Sequence, residues 1–140
     1  MNEETQYMPI PSSKAVTAGE IEEGEYTFKI VSHNVEERTG KFPLFHVNAR
    51  PLDVKLDADK TMSVSRSWAI KKGTGCGDFI RSFGVEPEVS SEGVRLPGLV
   101  GSCFMADVKH VMDEKTGMMY ANIDRDSAKA VDCKKQDTLV

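Results

Sequence analysis

Several features that define common protein classes are missing from this chain of 140 residues. It has only three cysteines, Cys76, Cys103 and Cys133. Their odd number and wide spacing indicate free thiols in a reducing cytoplasm rather than a disulfide framework. Apolar runs are only a few residues long, so no segment is expected to span a membrane. The acidic residues 1–4 are not followed by an apolar stretch, so we expect no secretory signal.

Signals for catalysis or for a bound cofactor are also scarce. The glycine-rich stretch 73–77 fits neither a dinucleotide fingerprint nor a P-loop, and indicates a flexible hinge instead. The histidines and cysteines are scattered and show no metal-ligand spacing. Asp107, Asp124 and Asp126 suggest a nuclease-like carboxylate cluster, but solvated carboxylates are far more common. We therefore predict a protein that is not an enzyme and that carries no metal or cofactor.

The composition is otherwise that of an ordinary globular protein, but charge is unevenly distributed along the chain. Hydrophobic residues make up 39% and charged residues 29% of the chain, whose length fits one domain. The net charge is -4, yet residues 38–81 carry nine Lys/Arg and only four Asp/Glu. This local excess of positive charge indicates a polyanionic partner, or an ordinary fluctuation on a solvated surface.

The clearest periodic stretch is Thr61–Ile70, which alternates with period two and predicts a β-strand. Arg66 interrupts its apolar side. A strand with one apolar side indicates an antiparallel sheet or barrel with a core on that side. The apolar side holds Met62, Val64, Trp68 and Ile70, and the other side holds Thr61, Ser63, Ser65, Ser67 and Ala69.

Four more strands and one helix are predicted along the chain. The strands cover about 26–33, 43–54, 101–112 and 118–126, and the helix covers 78–83. The order is strand, strand, strand, helix, strand, strand. It predicts a mainly β protein, a five-stranded OB-fold-like Greek-key barrel with one short helix between strands three and four. An α+β sandwich with the same elements is the alternative.

We place the domain boundaries by composition. Residues 1–19 are expected to form an extended amino-terminal arm, 20–131 the OB-fold-like domain, and 132–140 a short polar tail. Residues 85–100 contain two prolines and two glycines and predict an irregular connection.

Three stretches carry a resemblance to a known family. They are the Glu-Gly-Glu-Tyr-Thr-Phe-Lys-Ile of 23–30, the serine-rich strand that leads to Gly-Asp-Phe-Ile at 77–80, and 99–108 with the turn that follows at 113–117. Over residues 20–131 the chain resembles the phage family of small OB-fold proteins related to single-stranded-DNA-binding proteins, many of which have no assigned function. Bacterial proteins of this kind usually end in a long acidic tail with an aromatic tip. The end of this chain, 133–140, has no such tip, so recruitment of partners through the tail is not expected.

An OB-fold binds single strands on the face of strands two and three and on the loops that flank it. Such binding uses cations for phosphates and aromatic rings for base stacking. The candidates for the phosphates are Arg38, Lys41, His46, Arg50, Arg66, Lys71, Lys72 and Lys115, and the candidate rings are Phe42, Trp68 and Tyr120.

Each ring also has a structural interpretation. Trp68 shares the apolar side of its strand, and this favours the core; a bulge near Arg66 would instead expose it. Phe42 stacks on a base or caps the barrel beside Pro43, and Tyr120 is more typical of a core position. Arg50, Lys71 and Lys72 are expected to be exposed in either case.

The resemblance implies a single-stranded DNA-binding protein that coats or presents single strands in phage replication or recombination, in the cytoplasm of the host bacterium. Its implied partners are single-stranded DNA and phage recombination or replication proteins, with no membrane, and a homo-oligomer is compatible with the sequence. The alternative is a protein-interaction module on the same barrel, such as a phage assembly factor or an inhibitor of a host defence protein. The acidic residues 20–25 suit that alternative. A third interpretation is a small virion component.

Overall fold

The chain folds mainly as β-structure with one α-helix. The computed structural model describes residues 15–57 and 60–133. The rest of the predicted arm (1–14), part of the turn before the third strand (58–59) and the predicted tail from residue 134 lie outside the described residues. Within those ranges no helix is long and apolar enough to cross a membrane.

All five predicted strands and the predicted helix are present, with shifted bounds. The strands are β1 (Gly24–Arg38), β2 (Lys41–Pro51), β3 (Met62–Ser67), β4 (Glu88–Ser90), β5 (Gly93–Arg95), β6 (Cys103–Met112), β7 (Met119–Ile123) and β8 (Lys129–Val131), and the helix α1 spans Gly75–Arg81. The strands β4 and β5 form a separate hairpin where an irregular connection was predicted. The helix α1 begins three residues earlier than predicted because the Thr74 side chain accepts a hydrogen bond from the amide of Gly77 and caps it.

The main sheet is antiparallel, with the order β3-β2-β1-β6-β7, and β8 pairs with β6 beside β7. Its two ends approach each other: Nη2 of Arg66 in β3 donates to the carbonyl of Arg125, just after β7, at 2.9 Å. No ladder joins β3 to β7 within the described ranges. The sheet is therefore curled but not closed by hydrogen bonds.

The inner side of the curled sheet holds the core. Phe28 and Phe104 are fully buried and stack with ring centroids 5.3 Å apart. The helix α1 packs Phe79 and Ile80 against this core. Each such side chain stabilises the fold by about 1.5–3 kcal/mol relative to an exposed position.

Part of the predicted arm belongs to the folded body. The amide of Ala121 donates to the carbonyl of Val16, and the amide of Ala18 donates to the carbonyl of Met119, both at 3.0 Å. Val16 is buried as a result. Residues 16–18 therefore pair with the outer edge of β7 and cover backbone groups that would otherwise be open to another strand.

The prediction of three free thiols is wrong for two of them. Cys103 and Cys133 form a disulfide with a Cα–Cα distance of 5.3 Å. The pairing was not evident from the sequence because the two cysteines are 30 residues apart. They meet because β8 runs along β6 and places Val131 opposite Cys103. Cys76 is free and buried, and burial raises the pKa of its thiol. The cysteine content therefore no longer supports a reducing compartment.

An ion pair joins Glu20, just after the arm, to the segment that enters β3, and it makes stability depend on pH. Nζ of Lys60 lies 2.7 Å from Oε2 of Glu20, and both side chains are largely buried. Hydrogen bonds from Lys60 and from Thr17 hold the pKa of the Glu20 carboxyl below its usual value of 4.5. Because the pKa of Glu20 is lower in the folded than in the unfolded protein, its ionised carboxylate stabilises the fold at pH values above the unfolded-state pKa. This stabilisation is lost as the pH falls through the folded-state pKa.

We predict that Glu20→Gln lowers the free energy of unfolding at pH 7 by about 1–3 kcal/mol, because Lys60 loses its close anion and keeps only the exposed Asp57 at 4.0 Å. The gap between variant and wild type should close as the pH falls below 4.5. Urea unfolding at a series of pH values measures this, with the exposed Glu22→Gln as the control. An equal gap at pH 7 and pH 3 would contradict the assignment.

Candidate nucleic-acid interface

The outer side of β1, β2 and β3 forms one continuous surface, which we call the polar face. The pairing of β2 with β3 keeps its register from Leu44 opposite Ser67 to Ala49 opposite Met62, so alternate side chains point to opposite sides. A shift in the β1–β2 pairing between Ile30 and Ser32 brings the second half of β1 into the same alternation. The polar face consists of Ser32, Asn34, Glu36, Leu44, His46, Asn48, Arg50, Ser63, Ser65 and Ser67.

A hydrogen-bonded network holds the centre of the polar face. Nδ2 of Asn48 donates to Oγ of Ser32 at 3.0 Å and to Oδ1 of Asn34 at 3.2 Å. Oγ of Ser63 donates to Oδ1 of Asn48 at 2.6 Å. These contacts link all three strands and fix the side-chain positions before any ligand binds.

A second set of contacts crosses the same strands through His46. Its Nδ1 lies 2.6 Å from Oγ of Ser65, and its Nε2 lies 2.7 Å from Oε1 of Glu36. A serine, a histidine and a carboxylate in contact are also the catalytic groups of hydrolases. A hydrolase further needs hydrogen-bond donors preorganised for an oxyanion and a site that excludes water. The three groups here lie on the open surface of a sheet. We therefore assign them to the cross-strand network.

Phe42 is the most exposed of the large apolar side chains in the described part of the chain, at 77%. It lies at the start of β2, beside the exposed Lys41, where the β1–β2 pairing shifts between Glu36 and Arg38. Nε and Nη2 of Arg38 donate to the carbonyl of Phe42, at 3.0 and 2.6 Å. Arg38 therefore braces the β1–β2 turn from which the ring of Phe42 projects. This exposure argues against the interpretation in which Phe42 caps the barrel.

The remaining predicted cations lie around this face. Lys71 and Lys72 are exposed, and they follow Trp68, whose amide donates to the carbonyl of Pro43 at the Phe42 end of the sheet. Arg50 lies at the opposite end of the face. Lys115 is exposed in the turn between β6 and β7.

Lys29 belongs with these cations but was missing from the prediction. It is exposed and lies opposite Arg50 in the β1–β2 pairing. The alternation of β1 places Lys29 opposite the buried Phe28 and Ile30, and this signal was sufficient to find it.

Arg66 and Trp68 do not lie on the polar face. The continuous β2–β3 register contains no bulge, so Arg66 points inward, and its guanidinium lies 4.3 Å from the ring centroid of Phe79. Burial and the neighbouring Arg125 lower the pKa of this guanidinium. The ring of Trp68 packs 5.2 Å from the ring of Phe45 at the edge of the core. Both side chains therefore hold the fold together, and we leave them out of the interface.

Two further observations concern the other candidates. Tyr120 is half-buried, and its backbone pairs with Thr17 of the arm and with Val111 of β6. Among the described residues no group of three or more His, Cys, Asp or Glu is placed to hold a metal ion.

The inward position of Arg66 gives a prediction about charge reversal. Arg66→Glu places a carboxylate against the Phe79 ring and the carbonyl of Arg125, and it should lower the free energy of unfolding by about 3 kcal/mol or more. The exposed Lys41→Glu should change it by less than about 0.5 kcal/mol. Urea denaturation of both variants checks this, and equal midpoints would show that Arg66 is not structural.

No family model matches this chain, and no curated protein matches it either. The function therefore has to be argued from the geometry of the polar face.

Proposed function

We propose that this protein binds single-stranded DNA along the polar face and coats or presents it during phage replication or recombination. The observation that carries the proposal is the exposed ring of Phe42 at the start of β2, next to a polar face that has cations at both ends. An apolar ring with 77% exposure gains nothing for the fold, whereas it offers a stacking surface to a base.

We also propose that the fold is an OB-fold-like Greek-key barrel. The order β3-β2-β1-β6-β7 and the helix between β3 and β6 support it. The contact between Arg66 and Arg125 supports it as well, because it joins the two ends of the sheet. In such a barrel the polar face is the usual ligand surface, flanked by the β1–β2 and β6–β7 turns.

The electrostatics of the proposed site are local. The whole chain has a net charge of -4, so the overall charge of the protein does not attract a polyanion. The gain comes from Lys41, Lys71 and Lys72 near Phe42 and from Lys29 and Arg50 at the opposite end. A strand that crosses the face can place phosphates near these groups while its bases face the network between them.

A titration with fluorescently labelled oligo-dT of increasing length tests the proposal directly. The label must be on the DNA, because Trp68 packs against Phe45 and is not expected to be quenched by a strand on the other side of the sheet. Binding should weaken as salt increases, since phosphate contacts release counterions. If no single strand binds at low salt, the proposal is wrong.

We predict that Phe42→Ala weakens binding of oligo-dT by about fivefold to a hundredfold, the effect of losing one stacked base. The dependence on salt should stay the same, because no phosphate contact is removed. Val89→Ala is a matched control, since Val89 is 67% exposed in the separate β4–β5 hairpin. Equal affinity of the two variants would remove Phe42 from the interface.

A protein-interaction module, such as an assembly factor or an inhibitor of a host defence protein, is the second candidate. One observation favours it: four large apolar side chains are exposed near the turn of the β6–β7 hairpin. Exposed apolar surface often marks contacts with other proteins. Failure of every oligonucleotide to bind would favour this candidate. The four side chains are Val111, Met112, Met118 and Met119.

A further inference from the structure

We propose that the disulfide between Cys103 and Cys133 is a thiol-exchange site that a dithiol opens at Cys133, and that it acts as a latch. Opening it releases residues 129–133, which we call the latched segment, from the edge of β6 while the rest of the sheet stays folded. The inference does not rest on the proposed function, because β8 pairs with β6, outside the three strands that carry the polar face.

The strand β8 has few contacts that could hold it in place without the disulfide. It spans only Lys129–Val131, and β6 is its one pairing partner among the described strands. Lys129 is exposed, whereas Ala130 and Val131 are only half-buried, so no side chain of β8 is anchored in the core. A short strand of this kind opens at a small fraction of the free energy of global unfolding.

The chain just before β8 is held independently of the disulfide. The amide of Asp107 donates to Oγ of Ser127, and the amide of Asp124 donates to the carbonyl of Asp107, both at 2.8 Å. Ala128 packs against the core. Residues 124–128 therefore stay in place when the disulfide opens, and the motion is confined to the latched segment.

The same contacts show which backbone groups of β6 are covered by β8. Asp107 directs both its amide and its carbonyl toward the chain just before β8. Because this direction alternates along a strand, Cys103 and Met105 direct theirs toward β8. Phe104 lies between them and directs its own toward β1. Release of β8 therefore uncovers the backbone of Cys103 and Met105 but not that of Phe104.

The two sulfurs of the bridge differ in their accessibility to a thiol. Cys103 is 1% exposed, so an incoming thiolate has no access to its sulfur. Cys133 is only partly buried, and it borders an open cleft of about 410 Å³ that is also lined by Ser82 and Phe83, just after α1. Disulfides with an exposed sulfur are the ones that thiols open readily. Exchange is therefore expected to begin at Cys133.

The reaction has two steps, and a dithiol supplies its electrons. One thiolate of the dithiol attacks Sγ of Cys133 and forms a new S–S bond, while the bond to Cys103 breaks and the Cys103 thiolate takes up a proton. The second thiolate of the dithiol then attacks the dithiol's own sulfur in this mixed disulfide, and Cys133 leaves and is protonated. Two electrons and two protons pass to the protein, and the dithiol becomes a cyclic disulfide.

Amide hydrogen exchange, followed by NMR on the full-length protein with and without dithiothreitol, tests the latch. We expect reduction to accelerate exchange at Cys103 and Met105 by about tenfold or more, because the covalent constraint on β8 is lost. The amides of Phe104 and Asp107 should keep their rates, since their acceptors lie on β1 and on Ser127.

Two variants separate the latch from other effects of the reductant. Cys133→Ser should show the fast exchange without dithiothreitol, and dithiothreitol should not change it further. Cys76→Ala is the matched control, because Cys76 is the free cysteine of the described chain, and its variant should respond to dithiothreitol as the wild type does. If Cys133→Ser does not fold, the comparison of oxidised and reduced wild type decides.

A neutral monothiol, 2-mercaptoethanol, tests where exchange begins. After quenching with acid, mass spectrometry should find its mixed disulfide on Cys133. An adduct on Cys103 would overturn this entry point.

The exchange rates can contradict the latch in two ways. Equal rates at Cys103 and Met105 before and after reduction would show that β8 stays paired without the disulfide. An equal acceleration at Phe104 and Asp107 would show that the disulfide supports the whole sheet rather than one strand. Either result would overturn the proposal and leave the proposal of single-strand binding unaffected.

Discussion

The uninterrupted pairing of β2 with β3 is the constraint on which the rest of the structure depends. Side chains alternate along a strand, so a slip of one residue would exchange the two sides of the sheet. The present register sends Phe45 and Val47 into the core while their neighbours His46 and Asn48 face outward. The same register turns Arg66 inward, where the ring of Phe79 and a backbone carbonyl receive it. One property of the backbone thus determines both the core and the surface offered to a ligand.

Much of the fold could be predicted because the local pattern of apolar and turn-forming residues agrees with the strands and turns of the structure. The alternation of apolar residues located the five long strands, and the glycine at 117 marked the β6–β7 turn, where it adopts a φ of 74°. What the sequence could not provide was the result of distant contacts. Residues 16–18 gave no strand signal of their own, because their structure comes from pairing with the edge of β7. The disulfide was hidden for the same reason, since it depends on where β8 returns.

The glycine-rich segment before α1 shows how composition alone can mislead. Several glycines close together are typical of a flexible hinge, and the segment 73–77 was interpreted in that way. In the structure Thr74 caps the helix, and Gly77 is buried so closely against the carbonyl of Lys71 that a Cβ would lie 2.1 Å from its oxygen. The glycine is needed here for close packing rather than for motion. The sequence shows that Gly77 has no side chain, but it does not show which atoms occupy the space beside it.

The disulfide has a consequence for the integrity of the chain. Cys103 and Cys133 lie on either side of β7 and of the exposed β6–β7 turn, so this whole segment forms a covalent ring. Exposed turns are the positions where proteases cut first. A cut in this turn would open the ring without releasing either fragment, and β7 would stay attached to the body through its sulfur bridge. The β6–β7 turn is thus a position where the chain can be cut without the loss of β7.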